Sequence, residues 1–181
     1  MSEELQVLKI VTERLDGAGI AYMITGSTAL NYYTVPRMTR DIDLVAELGA
    51  PDAERISRLF STDFYLEPEA VHRAIERRGA FNLIHTRLVV KVDVVVRKDS
   101  EYRRTELARR RRISLEGHPL YIVAPEDLVI SKLDWARSTR SEVQLTDVRS
   151  LLQSVPDLDR QYMERWIVDL GLETLWREVA P

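Results

Sequence analysis

The chain has 181 residues, of which 45% are hydrophobic and 30% charged; this balance supports a globular core and excludes a disordered chain. It contains no cysteine, which removes disulfide scaffolds and thiolate metal sites, and no apolar run approaches the roughly 18 residues of a membrane span. A net charge of −3 argues against wholesale electrostatic binding of nucleic acid, although charge can still be segregated locally. The acidic start Met1-Ser2-Glu3-Glu4 has neither the basic opening nor the apolar block of a signal peptide. A cytoplasmic protein with no membrane contact is the expectation.

Leu5, Leu8, Val11 and Leu15 recur at helical spacing and Gly17 and Gly19 stop that pattern. Ile20 to Thr25 reads as a short strand running into Gly26-Ser27, and a helical pattern follows from Thr28 until Pro36. Ile42, Leu44 and Val45 surround two aspartates in a second strand, and Pro51 opens a helix over 52–60. Phe81 to Thr86 and Leu88 to Val96 predict a hairpin, its second strand so rich in valine that it is expected to be central and buried on both faces. Glu101 to Arg112 predicts a charged helix. Ile113–Leu115 and Leu120–Val123 can pair across Glu116-Gly117-His118-Pro119. From Pro125 the pattern is helical, over about 125–137, 142–153, 159–170 and 172–178. The reading is therefore an α/β (α+β) core over 1–124, a mixed sheet flanked by helices, with a helical C-terminal region over 125–181 packed on it.

Asp41-Ile42-Asp43 is the strongest local signal. Residues two apart on a strand share a face, so both carboxylates project together. Two carboxylates held roughly 4 Å apart repel by about 4 kcal/mol at an effective dielectric of ~20, a cost relieved by a cation or by protonation of one group. Hard oxygen donors with open positions suit Mg²⁺ or Mn²⁺. Asp93 lies inside Lys91-Val92-Asp93-Val94-Val95-Val96, where an unpaired carboxylate is costly to bury. It either pairs with Lys91 or an arginine or, if the two strands are neighbours, joins Asp41 and Asp43 in a two-metal site. Ahead of the pair, Gly26-Ser27 stands where a strand meets a helix start, a place where free N–H groups and a hydroxyl can cradle a phosphate; an ordinary helix cap is the plainer account of those two residues alone.

Taken together these residues resemble the signature of the DNA polymerase β nucleotidyltransferase superfamily: Gly26-Ser27, thirteen intervening residues, Asp41-Ile42-Asp43, and a third acid in Val92-Asp93-Val94. A narrower resemblance is to small AbiEii/MenT-like nucleotidyltransferases, whose Arg-x-Thr-x-Asp-x-Asp motif is similar to Arg37-Met38-Thr39-Arg40-Asp41-Ile42-Asp43, and whose later lysine and acid are similar to Lys132 and Asp147. The resemblance implies the nucleotidyltransferase fold, with Asp41, Asp43 and Asp93 as metal ligands and catalytic acids supported by Lys132. It implies NTP binding by Gly26, Ser27, Arg37, Thr39 and Lys132. It also implies transfer of a nucleoside monophosphate to an RNA, protein or small-molecule acceptor, in some relatives as a toxin with a cognate antitoxin. A non-catalytic binding module on the same fold is the competing expectation.

Arg103, Arg104, Arg109, Arg110, Arg111 and Arg112 form the one strong local charge excess, readable as a track for RNA phosphates or as a solvated helix face paired with Glu101 and Glu106. His72, His85 and His118 lack metal-ligand spacing, Ser131 and Ser138 lack a histidine and acid context, and the aromatics Tyr32, Tyr33, Trp135, Trp166 and Trp176 are expected in the core.

Overall fold

The computed structural model describes residues 2–39 and 41–180. Their elements run α1 (Glu3–Gly17), β1 (Tyr22–Ile24), α2 (Gly26–Tyr33), β2 (Asp41–Ala46), α3 (Asp52–Phe60), β3 (Phe64–Tyr65), α4 (Pro68–Arg77), β4 (Ala80–His85), β5 (Lys91–Val96) and α5 (Glu101–Ala108). They continue with β6 (Arg111–Leu115), β7 (His118–Ile122), α6 (Pro125–Thr139), α7 (Glu142–Ser154), α8 (Arg160–Asp169) and α9 (Glu173–Val179). The strands form one mixed sheet in the order β3-β4-β5-β2-β1-β7-β6. Only β2 with β5 and β1 with β7 are parallel; β1–β2, β3–β4, β4–β5 and β6–β7 are antiparallel. No helix among the described residues is long and apolar enough to cross a membrane.

Alternation along the central strands decides how the molecule is layered. Ile42, Leu44 and Ala46 of β2 are buried, as are Val92, Val94 and Val96 of β5, whereas Asp41, Asp43, Lys91 and Asp93 on the opposite face are only partly covered. The expectation that β5 is buried on both faces is therefore corrected. Its valine run conceals a period of two, because the second face is left open for polar side chains. Helix α1 buries Leu5, Leu8, Val11 and Leu15, the stripe its spacing predicts. Ser2 caps it by accepting the Leu5 N–H.

Two elements escaped the sequence reading. Helix α4 begins with Pro68 in its first turn and buries Val71, Ala74 and Ile75, while β3 is a two-residue edge strand. The charged helix expected over 101–112 ends at Ala108, and Arg111 and Arg112 belong to β6, where they pair with Ile122 and Tyr121. The turn between β6 and β7 is Glu116-Gly117, both at positive φ (46° and 79°), the two-residue geometry that matches strand twist. Helix α6 is the most deeply set of the C-terminal helices: Leu128, Val129, Ile130, Leu133 and Ala136 are all buried. One cluster of buried residues runs from Leu5 to Val179, continuing across the Ala124–Pro125 boundary.

Candidate active site

The site is built on the open face of β2 and β5. These strands are parallel neighbours in a register that sets Asp43 opposite Asp93 and Asp41 opposite Lys91. Period two then places all four side chains on one face. The Lys91 ammonium lies 3.0 Å from Asp93 Oδ2 and 3.4 Å from Asp41 Oδ2. On the other side of β5, Asn82 is the register partner of Asp93 and donates its amide N–H to Asp93 Oδ1. Lys91 is thus both the salt-bridge partner foreseen for Asp93 and a member of the carboxylate face.

Helix α2 supplies the second wall. Strand β1 lies against β2 with Ile24 opposite Leu44, and the chain turns into α2 at Gly26, whose φ is +59°. A Cβ there would fall 2.1 Å from Asp43 Oδ2 and 2.7 Å from its Cβ, so the approach of this turn to the carboxylate requires glycine. The Ser27 backbone N–H donates to Asp43 Oδ2 at 3.3 Å. Burial pushes the Asp43 carboxyl above its usual range, with the charges of Asp93 and Asp41 adding to the rise. The Ser27 N–H and the more distant Lys132 ammonium act in the opposite direction.

Lys132 comes from α6 and is buried with Asp147 of α7, Nζ to Oδ2 being 2.8 Å. It also donates to Gln144 Oε1 at 3.1 Å. Arg37 bridges this pair to the helix start, donating to Asp147 Oδ2 at 3.2 Å and to Ser27 Oγ at 3.1 Å. The structure therefore brings Gly26, Ser27, Arg37, Lys132 and Asp147 to the Asp43 side of the carboxylate face. Thr39 stands apart: its hydroxyl donates to the Asp41 carbonyl at 3.3 Å, beside a groove lined by Leu5, Leu8, Thr28 and Tyr32. Arg40 of the same motif lies outside the described residues. Asn82 and Gln144 are site residues whose place no local motif signals, because each acts through a neighbour distant in sequence; Lys91 was foreseen beside Asp93, but its contact with Asp41 depends on strand register.

The donor chemistry fits a hard divalent cation. Asp41, Asp43 and Asp93 offer oxygen ligands on one face, and the side chains of Asp41 and Asp93 remain 49% and 26% exposed. Among the described residues these groups are not drawn together as a ready-made metal cage; Lys91 supplies the neutralising charge.

The remaining candidates lie elsewhere. Arg109 is directed inward onto Asp127 and Glu126 and stacks 3.7 Å from the Tyr162 ring centroid. Arg111 reaches Glu126, Arg110 lies over Tyr121, Arg103 is held by Glu106 and Asp134, and Arg104 pairs with Asp99. His85 accepts the Leu88 N–H within its own turn, His118 meets Thr12, and Ser131 serves the Glu106–Arg103 pair. Tyr32 and Trp135, expected in the core, are exposed at 45% and 61%; each falls on the outer face of its helix, away from the buried residues Leu30 and Leu133.

Known structures share this architecture. An antigenic nucleotidyltransferase-like protein from Paracoccidioides brasiliensis aligns over 97% of this chain and 93% of its own, with TM-score 0.59 and 19% identity. The antibiotic-resistance factor ANT(2″)-Ia aligns over 95% and 92%, with TM-score 0.61 and 13% identity. The lincosamide antibiotic adenylyltransferase LnuA, solved with lincomycin bound, aligns over 84% and 96%, with TM-score 0.55 and 12% identity. This chain has the nucleotidyltransferase fold. No family model and no curated protein matches its sequence. Fold likeness at such low identity leaves chemistry to be argued from the site, and here the nucleotidyltransferase fold carries three aspartates on one sheet face beside a glycine-initiated helix.

Proposed function

We propose that this protein is a divalent-metal-dependent nucleotidyltransferase that moves a nucleoside monophosphate from an NTP to an acceptor. The observation that carries this reading is the in-register placement of Asp43 and Asp93, with Asp41 on the same face, next to the α2 N-terminus. Asp41, Asp43 and Asp93 would hold Mg²⁺ or Mn²⁺, which when bound supplies charge neutralisation at the transferring phosphate. The chain's own residues do the rest. The Ser27 hydroxyl and the N–H groups at the start of α2 would hold the β- and γ-phosphates. Arg37 and Lys132 would offset the charge that builds on the departing pyrophosphate. Asp93 would accept the proton of the attacking hydroxyl as the new O–P bond forms and the bond to pyrophosphate breaks. Positioning and electrostatics would supply the rate.

The arginine run bears on the choice of acceptor. Arg103, Arg109 and Arg111 are committed to internal carboxylates, which supports a protein side chain or a small-molecule hydroxyl over an extended RNA strand. ANT(2″)-Ia has been solved with adenylyl-2″-tobramycin, an example of a small-molecule acceptor on this fold. The likeness of Arg37-Met38-Thr39 to AbiEii/MenT-like toxins extends the proposal to a toxin with a cognate antitoxin, on that motif alone. A binding module without turnover is the second reading, favoured by Lys91 standing between Asp41 and Asp93.

Thermal shift and transfer of labelled nucleotide test these readings together. Wild type should gain melting temperature with Mg²⁺ and NTP jointly, through ligand binding to the native state, and should label an acceptor. Asp43→Asn should lose both. An equal shift in the two proteins, or an NTP shift indifferent to metal, would favour the binding module.

A further inference from the structure

We infer that Lys91 is a built-in counter-ion that competes with the divalent cation for Asp41 and Asp93 and so sets the metal concentration at which the site loads. The inference rests on the metal-site reading above and concerns a residue outside the three carboxylates. Lys91 sits two positions before Asp93 on β5 and opposite Asp41 on β2, so strand periodicity puts its side chain between two aspartates that belong to different strands. Its ammonium touches both, at 3.4 and 3.0 Å.

The partners of the three carboxylates differ in a telling way. Asp93 has both oxygens engaged, Oδ1 by the Asn82 amide and Oδ2 by Lys91. Asp41 has the same ammonium on Oδ2. Asp43 accepts a backbone N–H instead, and Lys132, whose charge also acts on it, is committed to Asp147. A metal ion held by Asp41 and Asp93 would take the place Lys91 fills, whereas Asp43 would ligate without displacing a cation. Lysine suits such an exchange. Its charge rides on a flexible four-carbon stem, and at 39% exposure the side chain can swing into water without crossing packed protein. In the free protein it suppresses the repulsion of neighbouring carboxylates; in the loaded protein that work passes to the metal.

The test measures Mn²⁺ binding without nucleotide, at fixed ionic strength, from free-Mn²⁺ EPR and calorimetry, for wild type, Lys91→Met and Lys91→Arg. Lys91→Met should bind Mn²⁺ about tenfold tighter, the scale expected when one adjacent charge of like sign is removed. Lys91→Arg should bind no tighter than wild type. The metal-free melting temperature of Lys91→Met should fall below wild type, and saturating Mn²⁺ should restore it, a recovery that a purely structural role would not produce. If wild type binds Mn²⁺ and Lys91→Met binds it equally or more weakly, the counter-ion role is overturned while the metal site stands. If Mn²⁺ binds neither protein, the metal-site reading falls and this inference with it.

Discussion

Asp43 and Asp93 face each other at one level of two parallel strands, but their surroundings differ: Asp43 is tucked under the turn into α2, and Asp93 is open to water between Asn82 and Lys91. The pair therefore couples an enclosed carboxylate to a more accessible one. The enclosed member depends on Gly26.

Replacing that glycine isolates the dependence. Gly26→Ala places a Cβ in contact with Asp43 Oδ2 and strains a residue at φ +59°. The left-handed conformation alone costs a non-glycine residue about 1–2 kcal/mol, and the clash adds to it. A stability loss of about 2 kcal/mol or more is expected in chemical denaturation, together with loss of the joint metal and NTP thermal shift. A variant of wild-type stability that keeps the shift would show that the turn does not hold Asp43.

Lys132 is the buried half of an ion pair whose two side chains are 5% and 7% exposed. Lys132→Met strands Asp147 with only the half-exposed Arg37 for compensation. Breaking such a pair from one side costs about 3 kcal/mol, so urea midpoints should fall accordingly. Arg37→Gln leaves Lys132 in place and should cost under about 1 kcal/mol, as for an exposed ion pair, while weakening NTP binding. Equal losses of stability in the two variants would contradict this hierarchy.

The arginine run makes a contrast of its own. Arg109→Gln removes the cation facing Asp127, which is fully buried, and Glu126, which is nearly so. Burial already pushes the Asp127 carboxyl up, against the pull of the Tyr162 hydroxyl and Arg109. A destabilisation of about 2–4 kcal/mol is expected for a buried carboxylate left without its charge partner. Arg112→Gln, at an exposed strand position, should stay within about 0.5 kcal/mol of wild type. Salt titration of RNA binding gives the independent check: a steep slope that flattens on Arg112→Gln would restore the polynucleotide acceptor.

Asp63 offers the pH dependence. Arg14 grips it with two hydrogen bonds of 2.6 and 2.7 Å, and that contact holds the carboxyl below its usual range. A depressed folded pKa means the bond stabilises above the ordinary aspartate value and is lost as pH falls through the folded one. Both side chains are near 30% exposed, so solvent screening limits the contribution to about 1 kcal/mol. Asp63→Asn should melt lower than wild type at pH 7, and the difference should close as the buffer is taken below pH ~4. A gap that persists unchanged into acid would mean that the bond's charge is irrelevant.

Several features of this protein follow from short stretches of sequence because short-range geometry creates them. Strand periodicity alone puts Asp41 and Asp43 on one face, the stripe of Leu5, Leu8, Val11 and Leu15 makes α1, and Glu116-Gly117 turns β6 into β7. The side on which Asp93 meets them was decided by tertiary structure, since β2 and β5 are joined through α3, β3, α4 and β4 before they pair. The same holds for Asn82 and for the contact of Lys91 with Asp41, which are set by strand register rather than by neighbours in the chain. Charge patterning left the role of the arginine run open for a related reason. Arg109 and Arg111 look like a free basic run until α6 brings Glu126 and Asp127 against them, because a buried carboxylate draws in any cation within reach to offset its lost hydration. A linear sequence records the charges, but only the packed structure determines which of them still face water.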